Sequence, residues 1–215
     1  MKYECSEDRF LKDCANHEMT VLRDDGVNRH LRFKKPGSGA YWFDLITWPG
    51  ALCIDGDCGT YVFKRLTDMF EFFRTDRTYM TKDGSKLAIN PSYWGEKLAS
   101  IGKNEKYEEF DSDAFDLIIK EYVADWCKEH RDTTTAHERR DLWDEVMDQV
   151  VNSDDHRKEG NAYDFSSRVN EEENFYFQDL FEHNFNRYTF HFIWCCYAIA
   201  WGVLQYDNRT QEVAA

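Results

Sequence analysis

Proline and glycine are scarce, three and eleven in 215 residues, while 42% of the chain is hydrophobic and 16% aromatic. That combination excludes a disordered or low-complexity polypeptide, which cannot bury enough apolar surface to offset its lost chain entropy. A membrane-spanning run is lacking too. The most apolar stretch, Phe192 to Leu204 (FIWCCYAIAWGVL), offers thirteen uncharged residues, where a hydrocarbon core needs about 20. Arg187 and His191 before it, and Gln205, Asp207 and Arg209 after it, prevent extension, so it reads as a central buried helix. Met1 to Asp8 carries Glu4, Glu7 and Asp8 without an apolar run, so no leader peptide is expected and the protein is expected in the cytoplasm. No internal repeat occurs. Nor is there an H-E-x-x-H, G-x-S-x-G, P-loop or dinucleotide fingerprint, so a familiar enzyme class is not expected.

What the chain does hold is seven cysteines, Cys5, Cys14, Cys53, Cys58, Cys127, Cys195 and Cys196. An odd number without a leader reads as reduced thiols acting as small hydrophobes, not as a disulfide framework. Cys5, Cys14 and His17 lie close in sequence and Cys53 and Cys58 bracket a turn, so four soft zinc ligands are conceivable. Their spacing departs from the paired C-x2-C pattern of such sites, and no metal or cofactor is expected. Asp55, Asp57 and Gly59 resemble the start of a calcium loop, but Leu66 occupies the twelfth position, where a bidentate Glu belongs. His191 and Cys195, four apart, would share a helix face as base and nucleophile do, yet they sit in the most apolar segment, where a histidine is ordinarily a core residue.

Patterning divides the chain. Asp25-Gly26 between Met19–Asp24 and Asn28–Lys34 marks a hairpin. Tyr41 to Trp48 reads as a strand ended by Pro49-Gly50, and Ala51–Ile54 with Thr60–Arg65 bracket a second hairpin. A sheet of four or five antiparallel strands is expected over residues 1–80, with short helices at Asp8–Asn16 and Met69–Phe73. The polar Thr75–Lys86 stretch reads as a surface loop and boundary. Residues 87–215 read as an acidic helical lobe: helices at Ser92–Ser100, at Asp113–His130 capped by Ser112, after the Thr135 to Glu138 capping box, and over Phe175–Tyr206, either continuous or broken near Asn184 to Asn186, with the Phe190–Leu204 segment at its centre. The fold class is α+β, as two lobes or one continuous domain.

Net charge is −14, and it is one-sided. Met1 to Asn90 holds 14 basic and 14 acidic side chains, whereas Pro91 to Ala215 holds 13 and 27. Acidic surface repels phosphate, so direct nucleic-acid binding is not expected there, and a basic partner is. Glu108, Glu109, Asp111, Asp113, Asp141, Asp144, Glu145 and Asp148 are the contact candidates, because acids on rigid helices can imitate the phosphates of a duplex. Glu105, Asp116, Glu121, Asp125, Glu129 and Glu138 belong to the same acidic runs. The basic residues cluster once, at Arg23, Arg29, Arg32, Lys34 and Lys35, close to Tyr41, Trp42 and Phe43. Such a cluster can hold single strands but more simply is a solvated strand face.

Several aromatic strings, Phe43 to Gly50 (FDLITWPG), Gly59 to Phe63 running into Asp68 to Arg74, Ile89 to Trp94, and Phe190 to Tyr197 with Trp201-Gly202 and Gln205 to Asp207, resemble a family of hypothetical proteins encoded by tailed phages and prophages of proteobacteria. The likeness spans about His17 to Asp207. It implies a protein made in an infected bacterium, in a gene class rich in inhibitors of host defence, and it implies no catalytic residues. The expected function is therefore counter-defence, by binding a basic host protein or ribonucleoprotein such as a CRISPR effector or restriction nuclease through the acidic helices. One alternative is a hydrolase or nucleic-acid-modifying enzyme using Asp55 and Asp57 with His30 or His191. Another is a self-associating phage protein meeting a second copy through exposed aromatics.

Overall fold

In the computed structural model, which describes residues 5–80 and 87–214 and only the backbone of 76–80 and 211–214, strand and turn chemistry dominate the first hundred residues. The elements in chain order are α1 (Glu7–Asp13), β1 (Glu18–Asp25), β2 (Asn28–Lys34), β3 (Phe43–Trp48), β4 (Ala51–Gly56), β5 (Gly59–Lys64), α2 (Met69–Met80), α3 (Pro91–Gly95), β6 (Leu98–Ile101) and β7 (Glu108–Phe110). There follow α4 (Ser112–Glu129), α5 (Ala136–Val146), α6 (Asp155–Asp164), β8 (Ser166–Arg168), β9 (Asn174–Tyr176), β10 (Asn186–Tyr188) and α7 (Phe190–Ala214). β1 to β6 form one six-stranded antiparallel meander in sequence order, β7 pairs with β10, and β8 with β9. The α+β class stands as expected. No described helix is long and apolar enough to cross a membrane.

The backbone divides into two units, 1–109 with 188–215, and 110–187. In the first, both hairpins read from sequence are present. Gly26 and Gly59 supply the positive φ angles, 61° and 104°, that their turns need. Because side chains alternate along a strand, Leu31, Phe33, Phe43, Leu45, Leu52, Ile54, Tyr61 and Phe63 share one buried face. α7 lies on that face, and Phe192, Ile193, Trp194, Cys195, Cys196, Ala198, Ile199 and Val203 join the same core. α1 and α2 also pack on α7, which is why its Phe192–Leu204 segment is apolar all round. The expected helical lobe built around Phe190–Leu204 is thus corrected: that helix completes the sheet unit.

Four further expectations change. The Ser92–Ser100 helix stops at Gly95, after which Leu98–Ile101 adds a sixth strand beside β5. Long-range pairing overrides the local pattern there. Phe175–Tyr206 is broken at Asn184 to Asn186, as the sequence allows, but the part before the break is not α-helical: β9, a 3-10 turn at Leu180–Glu182 and β10 precede α7, whose first turn is capped by the Thr189 hydroxyl accepting from Phe192 N at 3.3 Å. The cap of α4 is Asp111, which accepts from Ala114 N at 3.1 Å, while Ser112 hydrogen-bonds Asp155 and Lys158. The α2 helix runs on to Met80 past Thr75, and the rest of the expected boundary loop, 81–86, lies outside the described residues.

The second unit has its own core, Phe115, Ile119, Val123, Leu142, Val146, Val150, Val151, Ala162, Phe165, Phe175, Leu180 and Phe185. The capping box of α5 is present, with Thr135 and Glu138 exchanging hydrogen bonds. α5 runs into a π-helical turn, Met147–Val151. The wider turn carries the chain's apolar residues from Val146 to Val150 and Val151 while Asp148 stays outside. α6, which the sequence does not announce, is held by Lys158. This lysine is only 4% exposed, and its ammonium donates to Ser112 Oγ and Asp116 Oδ1, both at 2.7 Å.

Gly202 marks how closely α7 approaches the sheet: a Cβ there would lie 2.6 Å from Leu45 Cδ1 and 3.2 Å from the Phe33 ring. Helix propensity alone favours Gly202→Ala by about 1 kcal/mol, but overpacking a filled core costs about 1–3 kcal/mol. The substitution is expected to lower stability, read as an earlier midpoint in chemical denaturation. A later midpoint would mean that the helix is not seated this tightly.

Candidate functional site

The charge asymmetry sharpens on the folded chain. Residues 110–187 carry 21 Asp and Glu against 9 Lys and Arg, a balance of −12 out of −14. Of the eight contact candidates, Asp113, Asp144 and Asp148 are exposed, and Asp141 is exposed with His137 Nδ1 2.9 Å away. Asp141, Asp144 and Asp148 recur at helical spacing and so share a face. Asp111 and Glu145 are committed inside the unit, the first to capping α4 and the second to accepting from Ser167 Oγ at 2.6 Å and Gln149 Nε2 at 3.0 Å. Glu108 and Glu109 lie on β7 in the first unit and are half-buried. The eight therefore do not form one array.

A groove lies elsewhere on the acidic unit, and sequence reasoning did not single it out. α4 contributes Ile118, Glu121, Tyr122, Asp125, Trp126 and Glu129, which follow one another at three- and four-residue steps and so share a face, with His130 at its end. Asn174, Phe175 and Tyr176 of β9, with Gln178 and His183, form the other wall, and the space between measures about 530 Å³. The aromatic packing is specific. The His130 ring stacks on Trp126 at 4.2 Å and Phe175 meets Trp126 edge-on at 5.7 Å. His130 Nδ1 donates to Trp126 O at 2.9 Å, which leaves Nε2 at 3.5 Å from Glu173. The Tyr122 hydroxyl lies 3.2 Å from His183 Nε2. Burial and the nearby Asp179 and Glu182 push its pKa up, so it stays a neutral phenol. The signal available in sequence was the alternating Asn174-Phe-Tyr-Phe177 run, a strand pattern overshadowed by the helix-like residues after it.

Other constellations come together only in part. Cys5, Cys14 and Cys58 are buried, whereas Cys53 belongs to the opposite face of β4 from Leu52 and Ile54. Cys5, Cys14 and Cys58 come close enough to interact electrostatically, while Cys53 stands apart from them. Among the described residues no group of three or more His, Cys, Asp or Glu is placed to hold a metal ion. Burial pushes the Cys5 and Cys58 thiols up to about 12 and Cys53 to about 11, and it raises Cys14, Cys195 and Cys196 as well. Cys195 is enclosed and donates to Cys58 O at 3.6 Å, while His191 is exposed 3.9 Å from Glu105, so the two are not a nucleophile and its base. Asp55 accepts from Thr60 Oγ1 at 2.6 Å and Asp57 from Tyr41 N at 2.8 Å.

The basic strand is a solvated face at Arg23, Arg32, Lys34 and Lys35, which are exposed, and departs from that expectation at Arg29. Arg29 turns inward, clamps Asp68 with two hydrogen bonds of 2.9 Å and lies over the rings of Phe70 and Tyr206. Arg32 clamps Asp44 at 2.8 and 2.7 Å, and His30 Nε2 meets the same carboxylate at 2.8 Å. Burial raises the Asp44 pKa, but the hydrogen bonds from Arg32 and His30 outweigh it, and the net shift is downward from 3.8.

No protein-family model, curated protein or solved structure matches this chain.

Two outcomes follow. A group whose folded pKa is depressed stabilises above its unfolded value and loses that contribution as pH falls through the folded one. Asp44→Asn is therefore expected to cost about 1–3 kcal/mol at neutral pH, the usual worth of hydrogen bonds to a charged group, and the gap from the parent should close as pH drops below 3.8. Denaturation curves across pH check it. At about pH 8, where only thiolates react quickly, the native protein is expected to react slowly with a disulfide reagent through Cys53 and Cys127 alone, and through all seven cysteines in denaturant.

Proposed function

We propose that this protein acts by binding, not by catalysis, and that its acidic second unit engages a basic protein of the kind that handles nucleic acid. The observation that carries the reading is the segregation of charge: a unit of 78 residues holds 21 acidic and 9 basic side chains, with Asp141, Asp144 and Asp148 on one exposed helical face. Folding gains nothing from that excess, because like charges repel within the compact unit. A complementary basic surface is what turns it into association rate and specificity. The phage likeness of the aromatic strings makes a bacterial defence nuclease or CRISPR effector the first partner to test, with the acidic face occupying the groove that otherwise holds nucleic acid.

Tagged protein recovered from bacterial lysate and washed at about 50 mM and then about 500 mM salt, which cuts the screening length roughly threefold, tests this. A basic nucleic-acid-binding protein is expected to stay at low salt and be lost at high salt, and Asp141→Lys with Asp144→Lys and Asp148→Lys is expected to abolish its recovery without changing the melting curve. Recovery that survives both the salt and the charge reversal removes the electrostatic account.

A further inference from the structure

We infer that the α4 groove seats an extended peptide segment of a partner protein, with basic residues at alternate positions and an apolar end. The inference rests on the reading that the second unit binds a basic protein, and it goes further in assigning the face that reads the partner's sequence.

The first argument is the groove's own lining. Its walls include no Lys or Arg, and Glu121, Asp125 and Glu129 are solvent-exposed and form no ion pair with any described residue. Three carboxylates therefore face an aromatic wall with their charge uncompensated. A cation entering the groove gains a carboxylate partner from this row and lies among the aromatic side chains of the lining.

Spacing is the second argument. The three acids recur every fourth residue of a helix, a rise of about 6 Å. Alternate side chains of an extended strand lie about 6.6 Å apart. Three basic residues at alternate positions of a strand thus meet one carboxylate each. Ile118 to Glu129 also spans about 16 Å of helix, so the occupant is elongated, and a compact ammonium ion would leave most of the groove open.

The third argument is the platform at one side. Tyr176 and Gln178 belong also to a neighbouring concavity of about 410 Å³ shared with Tyr163, Leu180 and Phe181. Tyr163, Phe181 and Tyr176 are 75%, 71% and 55% exposed. Large aromatics left in water beside one another are uncommon on a surface with no partner, and aromatic anchors of this kind dominate binding energy in interfaces. Asp179 takes a left-handed φ of 53°, which turns the chain so that Leu180 is buried and Phe181 is not. A polyamine would match the acids but not this platform, and a nucleic acid would be repelled by the acids.

The test is fluorescence anisotropy with the full chain and labelled peptides. In one, three arginines alternate with serine and two leucines follow. In the second, glutamate replaces arginine, and unlabelled spermine serves as competitor. The arginine peptide is expected to bind and the glutamate peptide not. The combination E121Q, D125N and E129Q is expected to weaken binding about tenfold or more, as loss of close charge pairs does. F181A with Y163A is expected to weaken it without altering the melting curve, both side chains being exposed. Equal affinity of the two peptides, or of the parent and the triple groove variant, overturns the inference, as does spermine binding as tightly as the peptide. If the partner captured from lysate is released by D141K, D144K and D148K but not by the groove variant, the groove assignment fails while the broader reading stands.

Discussion

Everything in the first unit depends on burying a helical segment, Phe192–Leu204, that has no polar side. From Phe192 to Ala200 every residue of α7 is buried, so the segment has no stable place at a surface. The meander offers eight large apolar side chains on one face, and α1 and α2 take up other sides of the helix. Aromatic rings make the fit directional. Phe10 meets Trp194 at 5.1 Å and Trp201 at 6.2 Å, Phe33 meets Trp201 at 5.4 Å, and Phe43 meets Trp194 at 5.7 Å, all edge-on. Tight approach also explains the glycine at 202, since the helix cannot come down on Leu45 with a side chain there. The ion pairs are arranged around this core. Arg29 with Asp68, and Arg74 with Asp207 of α7 at 2.6 Å, tie β2, α2 and α7 together at one end.

The second unit is organised by a different tension. Its core of twelve buried residues must outweigh the mutual repulsion of 21 carboxylates. Part of the answer is internal: Lys158 lies inside the unit against Asp116, and Arg139 donates to the Thr134 carbonyl and hydroxyl at the start of α5. Asp111 and Glu138 are spent on helix N-termini, where a negative charge is favourable. Among the acids outside these roles are Asp113, Asp144 and Asp148, which are exposed, and Glu121, Asp125 and Glu129 along the groove. Sorting acids by whether the fold uses them separates structural carboxylates from those free to meet a partner.

Legibility in the sequence follows how local the determining physics is. The two hairpins were readable because Asp25-Gly26 and the Asp55 to Gly59 turn carry their own dihedral requirements, and the α5 start because a capping box is closed within four residues. β6 was not readable, since Leu98-Ala-Ser-Ile101 becomes a strand only by pairing with Tyr61 to Phe63. α7 was recognised as buried but assigned to the wrong neighbours, because hydrophobicity says that a segment is inside without saying against what. The groove was invisible for a related reason. The acids of α4 stand out in sequence, but the wall that makes them a concavity comes from residues some fifty positions later, and Phe175 to Phe177 sits in a stretch whose composition suits a helix equally well. Arg29 illustrates the converse: an arginine among basic neighbours looks like surface, and only its register opposite Thr47 places it inside.

The order of the elements along the chain also bears on biosynthesis. The sheet is complete at Ile101, yet the helix that covers it begins only at Phe190, about ninety residues later. At a synthesis rate of about 5–20 residues per second, the ribosome needs on the order of ten seconds to supply that cover. During this interval Phe33, Phe43, Leu45 and Phe63 line an open apolar sheet. A chain still short of Phe190 therefore lacks the cover for the face that the finished fold conceals, and the segment made in between, 110–187, is the most acidic of the chain.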